Sequence, residues 1–149
     1  MTFPSWRSFG ALTVLLSLLG GTAAQSQEIV LSAPEANALV VAGKMTLVDV
    51  RTPEEWRQTG VPAGAKRLDY QNRTGQTQFV EHLTQAIGGD RSTPVAIICR
   101  SGNRSTQVQR LLIENGFTHV VNIREGMLGS DAGPGWLRRG LPVIPCPMC

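Results

Sequence analysis

The chain has 149 residues, 42% of them hydrophobic and 17% charged, with a formal net charge of +3. That length suits one domain, and the composition is rich enough in apolar residues to bury a core. The basic residues are scattered and form no Lys/Arg block, which argues against a nucleic-acid partner.

The first stretch stands apart. Arg7 is the one positive residue of Met1–Ser8, Phe9–Leu19 is almost wholly apolar, and Thr22-Ala23-Ala24 fits the small-x-small rule for cleavage before Gln25. This is the three-part plan of a secretory signal peptide over residues 1–24. Its apolar part is short of the roughly 20 residues a membrane span needs. The expected mature protein is therefore periplasmic or secreted, with no membrane attachment after cleavage.

From Glu28 onward, strand and helix signals alternate. Glu28–Leu31 reads as a short edge strand. Ser32 followed three residues later by Glu35 is a capping box, and predicts a helix from about Ala33 to Ala42, stopped by Gly43. Thr46–Val50 reads as a strand. Thr52-Pro53-Glu54-Glu55 repeats the box with proline at the first helical position, and Gly60 ends that helix. Val61–Ala65 reads as a turn, and Lys66–Tyr70 as the neighbourhood of a short strand. Gln78–Ile87 carries Phe79, Leu83, Ala86 and Ile87 at helical spacing, with Gly88-Gly89 as a stop. Val95–Ile98 is a buried strand. Ser105 onward is a helix with Val108, Leu111 and Leu112 on one stripe, closed by Gly116. His119–Ile123 is a β-branched strand, and Gly135-Trp136-Leu137 is expected to open a last short helix. No hairpin signal joins adjacent strands, so the pattern implies an α/β fold with a mainly parallel sheet and helices on both faces. Ligands of such folds bind beyond the carboxyl ends of the strands.

One strand end carries the chemistry. Cys99-Arg100-Ser101-Gly102-Asn103-Arg104-Ser105 places a cysteine at the tip of the Val95–Ile98 strand, before a tight polar loop that opens a helix. Inward main-chain N–H groups and the positive end of the helix favour an anion there, and the thiolate is the nucleophilic form of cysteine. Arg100 and Arg104 add formal charge. Gly102 permits the tight turn. Arg100 is read as facing the ligand, whereas Arg104 has two open roles, substrate contact or a pair with a carboxylate. Asp49 and Arg51, at the end of a neighbouring strand, read as structural support: an ion pair or a cap on the next helix. Trp56 and Trp136 read as packing, and Tyr70 as a weak candidate for the pocket wall. Neither His82 nor His119 has a spacing that suggests a Cys–His pair.

These stretches resemble the rhodanese-like sulfurtransferases. The resemblance rests on Asp49–Trp56, Gly60–Ala65, the loop Cys99–Ser105, and Gly135–Leu137 with Gly140–Val143, in that order. It implies a single domain over residues 25–143 with a five-stranded, mainly parallel sheet. It also implies an activity: Cys99 attacks the outer sulfur of a donor such as thiosulfate, carries it as a persulfide, and passes it to a thiol or cyanide. The partners are then a small sulfane donor and a small acceptor, with no cofactor and no metal. Arg100, Ser101, Gly102, Asn103, Arg104 and Ser105 are the implied substrate-binding loop. Ser130–Pro134 lengthens the chain beyond the common family pattern and is expected near the mouth of the site.

Three rivals come from other classes. Phosphatases and arsenate reductases use a similar cradle with five residues between Cys and Arg; four separate Cys99 from Arg104. A persulfide carrier or interaction module would need no turnover. A thiol redox protein would use Cys146 and Cys149, a C-x-x-C in the tail at residues 144–149. With three cysteines in the exported part, the simplest partition pairs these two and leaves Cys99 free. No helix follows the pair to lower a thiol pKa in the usual way. A structural disulfide, sulfur relay from Cys99, and capture of a soft metal ion are the open readings of the tail.

Overall fold

The computed structural model describes residues 28–149; the expected signal peptide at residues 1–24 lies outside them. Eleven elements follow in order: β1 Ile29–Val30, α1 Ala33–Val41, β2 Thr46–Asp49, α2 Pro53–Thr59, β3 Val61–Pro62, β4 Lys66–Arg67, α3 Gln76–Ala86, β5 Val95–Ile98, α4 Asn103–Glu114, β6 Val120–Asn122 and β7 Val143–Ile144. Five strands form one sheet in the order β1-β6-β5-β2-β4, and every pairing in it is parallel. The expected fold class holds.

Both capping boxes form. The Ser32 N–H and hydroxyl both donate to Glu35 Oε2, at 2.9 and 2.6 Å. The Thr52 N–H donates to Glu55 Oε2 at 2.9 Å, and the Glu55 N–H returns a bond to Thr52 Oγ1. Each helix therefore starts where the glutamate three residues on takes up the N–H of the cap residue.

Side-chain alternation along the central strands divides the core into two layers. Val95, Ile97 and Cys99 face one cluster with Phe79 and Leu83 of α3 and Val108 and Leu112 of α4. Ala96 and Ile98 face the other, with Ala33 and Ala36 of α1, Met127 and Trp136. Parallel pairing puts all the carboxyl ends on one edge. Cys99 stands there between the segment after β2 and the segment after β6, held by bonds from the Val50 N–H to Ile98 O and from the Ile123 N–H to Ile97 O.

Two segments differ from expectation. The expected helix at Gly135–Leu137 is a series of turns. Its helical hydrogen bonding stops after one bond, Arg139 N–H to Gly135 O; the Gly140 N–H turns to Leu137 O and the Leu141 N–H to Trp136 O, while Trp136 and Leu137 donate to Gly126 O and Met127 O. Gly135 sits at φ +88°, where an added Cβ would meet Gly129 main-chain atoms within 3 Å. The Val61–Ala65 turn contains a strand, β3, which pairs antiparallel with β7, matching Val61 to Ile144 and Pro62 to Val143. The last residues thus dock on the domain through a second, two-stranded sheet.

Candidate functional site

The Cys99 loop is built by three restraints. Gly102 occupies the left-handed region at φ +93° and serves as the N-cap of α4. A Cβ there would lie 2.1 Å from the Arg124 carbonyl oxygen, so the segment after β6 packs directly on the loop. That segment also clamps the main chain: the Met127 N–H donates to Cys99 O and the Leu128 N–H to Arg100 O, both at 2.9 Å. Gly126 has the same function from the other side, since its Cβ would meet Arg100 O at 2.5 Å.

The result is a sulfur held at a helix start. Cys99 is 1% exposed. Its Sγ accepts from the Gly102 N–H at 3.1 Å and donates to Ser105 Oγ at 3.4 Å, while Ser105 Oγ donates to Gly102 O at 3.0 Å. The first helical bond runs from the Thr106 N–H to Gly102 O. The N–H groups of Asn103, Arg104 and Ser105 therefore have no partner within the helix and carry its positive end. Arg100, Ser101 and Asn103 are exposed around this point.

The two candidate arginine systems resolve differently. Arg104 forms a bidentate pair with Glu55, at 2.7 and 2.5 Å, so of its two open roles the structure shows the carboxylate pair. Burial pushes the Glu55 carboxyl up, but the bonds from Arg104 and from the Thr52 N–H outweigh it and hold the group down at about 2. The Glu55 hydrogen bond in turn raises the Arg104 pKa. One carboxylate thus caps α2 and anchors the loop. Arg51 and Asp49 form a buried pair at 2.7 Å, 1% and 0% exposed. Arg51 also donates to Gly60 O at 2.8 Å and Thr59 Oγ1 at 2.7 Å, which ties the end of β2 to the end of α2. Both expected roles, ion pair and helix cap, are combined in it.

Tyr70 packs edge-on against Phe79, with ring centroids 5.0 Å apart, on the core cluster that contains Cys99. Trp56 and Trp136 are buried as expected. Ser130, Asp131 and Ala132 do stand beside the loop: with Ser101, Asn103 and Arg124 they line a cavity of about 570 Å³. Cys99 is not in its lining, so the cavity flanks the sulfur cradle. Cys146 and Cys149 form a disulfide, and Cys99 is free.

Sequence reasoning missed Glu125. This carboxylate is 1% exposed. It accepts from the Ala33 N–H at 2.6 Å, the Gly135 N–H at 2.8 Å and Arg139 Nε at 2.8 Å. Burial pushes its carboxyl up, but these bonds, Arg139 first, hold it below the ordinary carboxylate range. It fixes the turn behind Gly126 that clamps the loop. The available signal was a lone acid next to a glycine at the end of an apolar strand.

The profile described as "Rhodanese-like domain" matches residues 32–130. A protein from Allochromatium vinosum described as a sulfurtransferase is 34% identical over 102 residues, covering 66% of this chain and 77% of its own length. An uncharacterized protein from Rickettsia prowazekii is 31% identical over 112 residues, covering 71% and 88%. The solution structure of a polysulfide-sulfur transferase homodimer from Wolinella succinogenes aligns over 78% of each chain with a TM-score of 0.60 and 28% identity.

Proposed function

The chain belongs to the rhodanese-like domain family, and we propose that it is a sulfurtransferase in which Cys99 carries the sulfur. The observation that carries this reading is the Cys99 thiol at the foot of α4, bonded to the Gly102 N–H at 3.1 Å. The Cys99 thiolate attacks the outer sulfur of a donor such as thiosulfate. The donor S–S bond breaks, sulfite leaves with the electron pair, and a persulfide remains on Cys99. The unpaired N–H groups of the helix start stabilise the charge on the terminal sulfur. A thiolate or cyanide then attacks that sulfur, and the Cys99 thiolate departs unchanged. Arg100, exposed at the mouth, supplies positive charge for the anionic donor.

The Arg104–Glu55 pair favours sulfur transfer over phosphate chemistry. A tetrahedral oxyanion needs a fork of free guanidinium donors at the cradle. Here that fork is engaged by Glu55. We also place the mature chain outside the cytosol: the plan of residues 1–24 supports export, and a disulfide between Cys146 and Cys149 suits an oxidising compartment.

Intact-mass measurement of the reduced protein after thiosulfate tests the reading. The expected result is a gain of one sulfur atom, about 32 Da, that Cys99→Ser abolishes. No adduct from thiosulfate or any other sulfane donor would overturn it.

A further inference from the structure

The tail disulfide does not lie free on the surface. Strand β7 pairs it to β3, and Gly60 approaches so closely that a Cβ there would stand 2.9 Å from Ile144 O. Arg57 of α2 donates to the Cys149 main-chain oxygen at 2.9 Å. Arg67 of β4 contacts both sulfurs through one Nη1, Cys146 Sγ at 3.0 Å and Cys149 Sγ more closely. The same guanidinium stands over the Trp56 ring, with 5.8 Å from Cζ to the ring centroid. A cavity of about 260 Å³ opens beside Cys146, walled by Val61, Pro62, Ala65 and Ile144, with Arg67 as its charged group.

We propose that Cys146 and Cys149 form a second thiol site, exchanging with small anionic thiols, in which Arg67 holds the Cys149 thiolate. An active C-x-x-C draws its activation from a helix start or from a neighbouring cation. Here the cation arrives from a strand 79 residues away. Arg67 attracts a thiolate far more strongly than a neutral disulfide, so it favours opening of the bond. Of the charged groups on the neighbouring elements, Arg57 and Arg67 contact the tail, Glu55 is engaged by Arg104, Glu54 and Lys66 are the remaining charges of α2 and β4, and neither β3 nor β7 contains a charged residue.

An external thiolate enters the cavity and attacks Cys146 Sγ, and the S–S bond breaks with Cys149 leaving as a thiolate beside Arg67. A second external thiolate attacks the external sulfur of the mixed disulfide and releases the Cys146 thiolate. Two external thiols are oxidised to one disulfide, and the tail disulfide is reduced to two thiols. The two released protons are shared between solvent and the tail.

The test uses the exported chain carrying Cys99→Ser, in which the tail holds the only cysteines, so its outcome does not depend on sulfur transfer. Alkylation of the reduced tail is followed against pH, and its redox equilibrium is set by graded thiol buffers. The parent is expected to react with an apparent pKa below the free-cysteine value of about 8.5. Arg67→Gln should return it to that value and shift the equilibrium toward the disulfide about tenfold, or about 30 mV for this two-electron couple. Arg67→Lys should restore most of both. With rates corrected to thiolate concentration, 2-mercaptoethanesulfonate should open the parent disulfide several-fold faster than neutral 2-mercaptoethanol, and Arg67→Gln should lose that preference. An Arg67→Gln protein that is folded by circular dichroism and matches the parent in pH profile and equilibrium would overturn the proposal. If Arg67→Gln does not fold, the folded Arg67→Lys decides: an apparent pKa at or above the free-cysteine value overturns the proposal as well.

Discussion

Replacing Glu55 with glutamine removes one charge from the contact between α2 and the Cys99 loop while keeping a side chain that reaches the Thr52 N–H. A carboxyl held at about 2 instead of its ordinary 4.5 sets a ceiling of about 3.5 kcal/mol on what the charge contributes, at about 1.4 kcal/mol per pH unit. Both partners are 17% exposed, and solvent screening reduces the expected loss to about 1–2 kcal/mol. Because the folded-state value is depressed, the contribution is fully present above the ordinary carboxylate value and disappears as pH falls toward 2. Urea unfolding of the two proteins from about pH 7 down to about pH 3 should therefore show a stability gap that is constant near neutrality and narrows in acid. The variant should also load sulfur more slowly, since Arg104 loses its fixed partner. A gap of unchanged size across the whole pH range would refute the charge argument.

Gly102→Ala should lose stability by about 2 kcal/mol or more, and most of its sulfur loading, because the added carbon meets a main-chain oxygen at 2.1 Å. Gly43→Ala also has a positive φ, +67°, but faces open space, and should cost only about 1–2 kcal/mol in thermal unfolding; equal losses would refute the packing account. Arg51→Met leaves Asp49 buried without its partner and should cost about 3–5 kcal/mol, with Asp49→Leu in the same chain recovering part of the loss in chemical denaturation. N-terminal sequencing of the protein recovered from an exporting bacterium should begin at Gln25, and an intact Met1 terminus would refute cleavage.

The elements that local chemistry specifies were legible in the chain. Ser32/Glu35 and Thr52/Glu55 mark the starts of α1 and α2 because each box pairs the cap residue's N–H with the glutamate three residues on. The Val95–Ile98 run leads into the Cys99 loop because an apolar strand, a glycine turn and a helix start follow one another directly. Where two roles depended on a distant partner, the residues alone left them open: Arg104 meets Glu55 49 residues away. The expected helix at Gly135 is limited to one helical bond, Arg139 N–H to Gly135 O, in a segment whose other anchors, Gly126 O and Met127 O, lie about ten residues back.

Periodicity, capping and turn residues, each read over a few positions, specify the parallel α/β plan, the cysteine at a strand end and the loop that cradles it. The tertiary structure alone decided which charges are engaged and which stay open. It gave Arg104 to Glu55, placed Glu125 behind the loop, and brought Arg67 onto the tail sulfurs. These contacts join residues from about 10 to about 90 positions apart; no local pattern encodes such a pair, because only burial on a common core makes its partners neighbours.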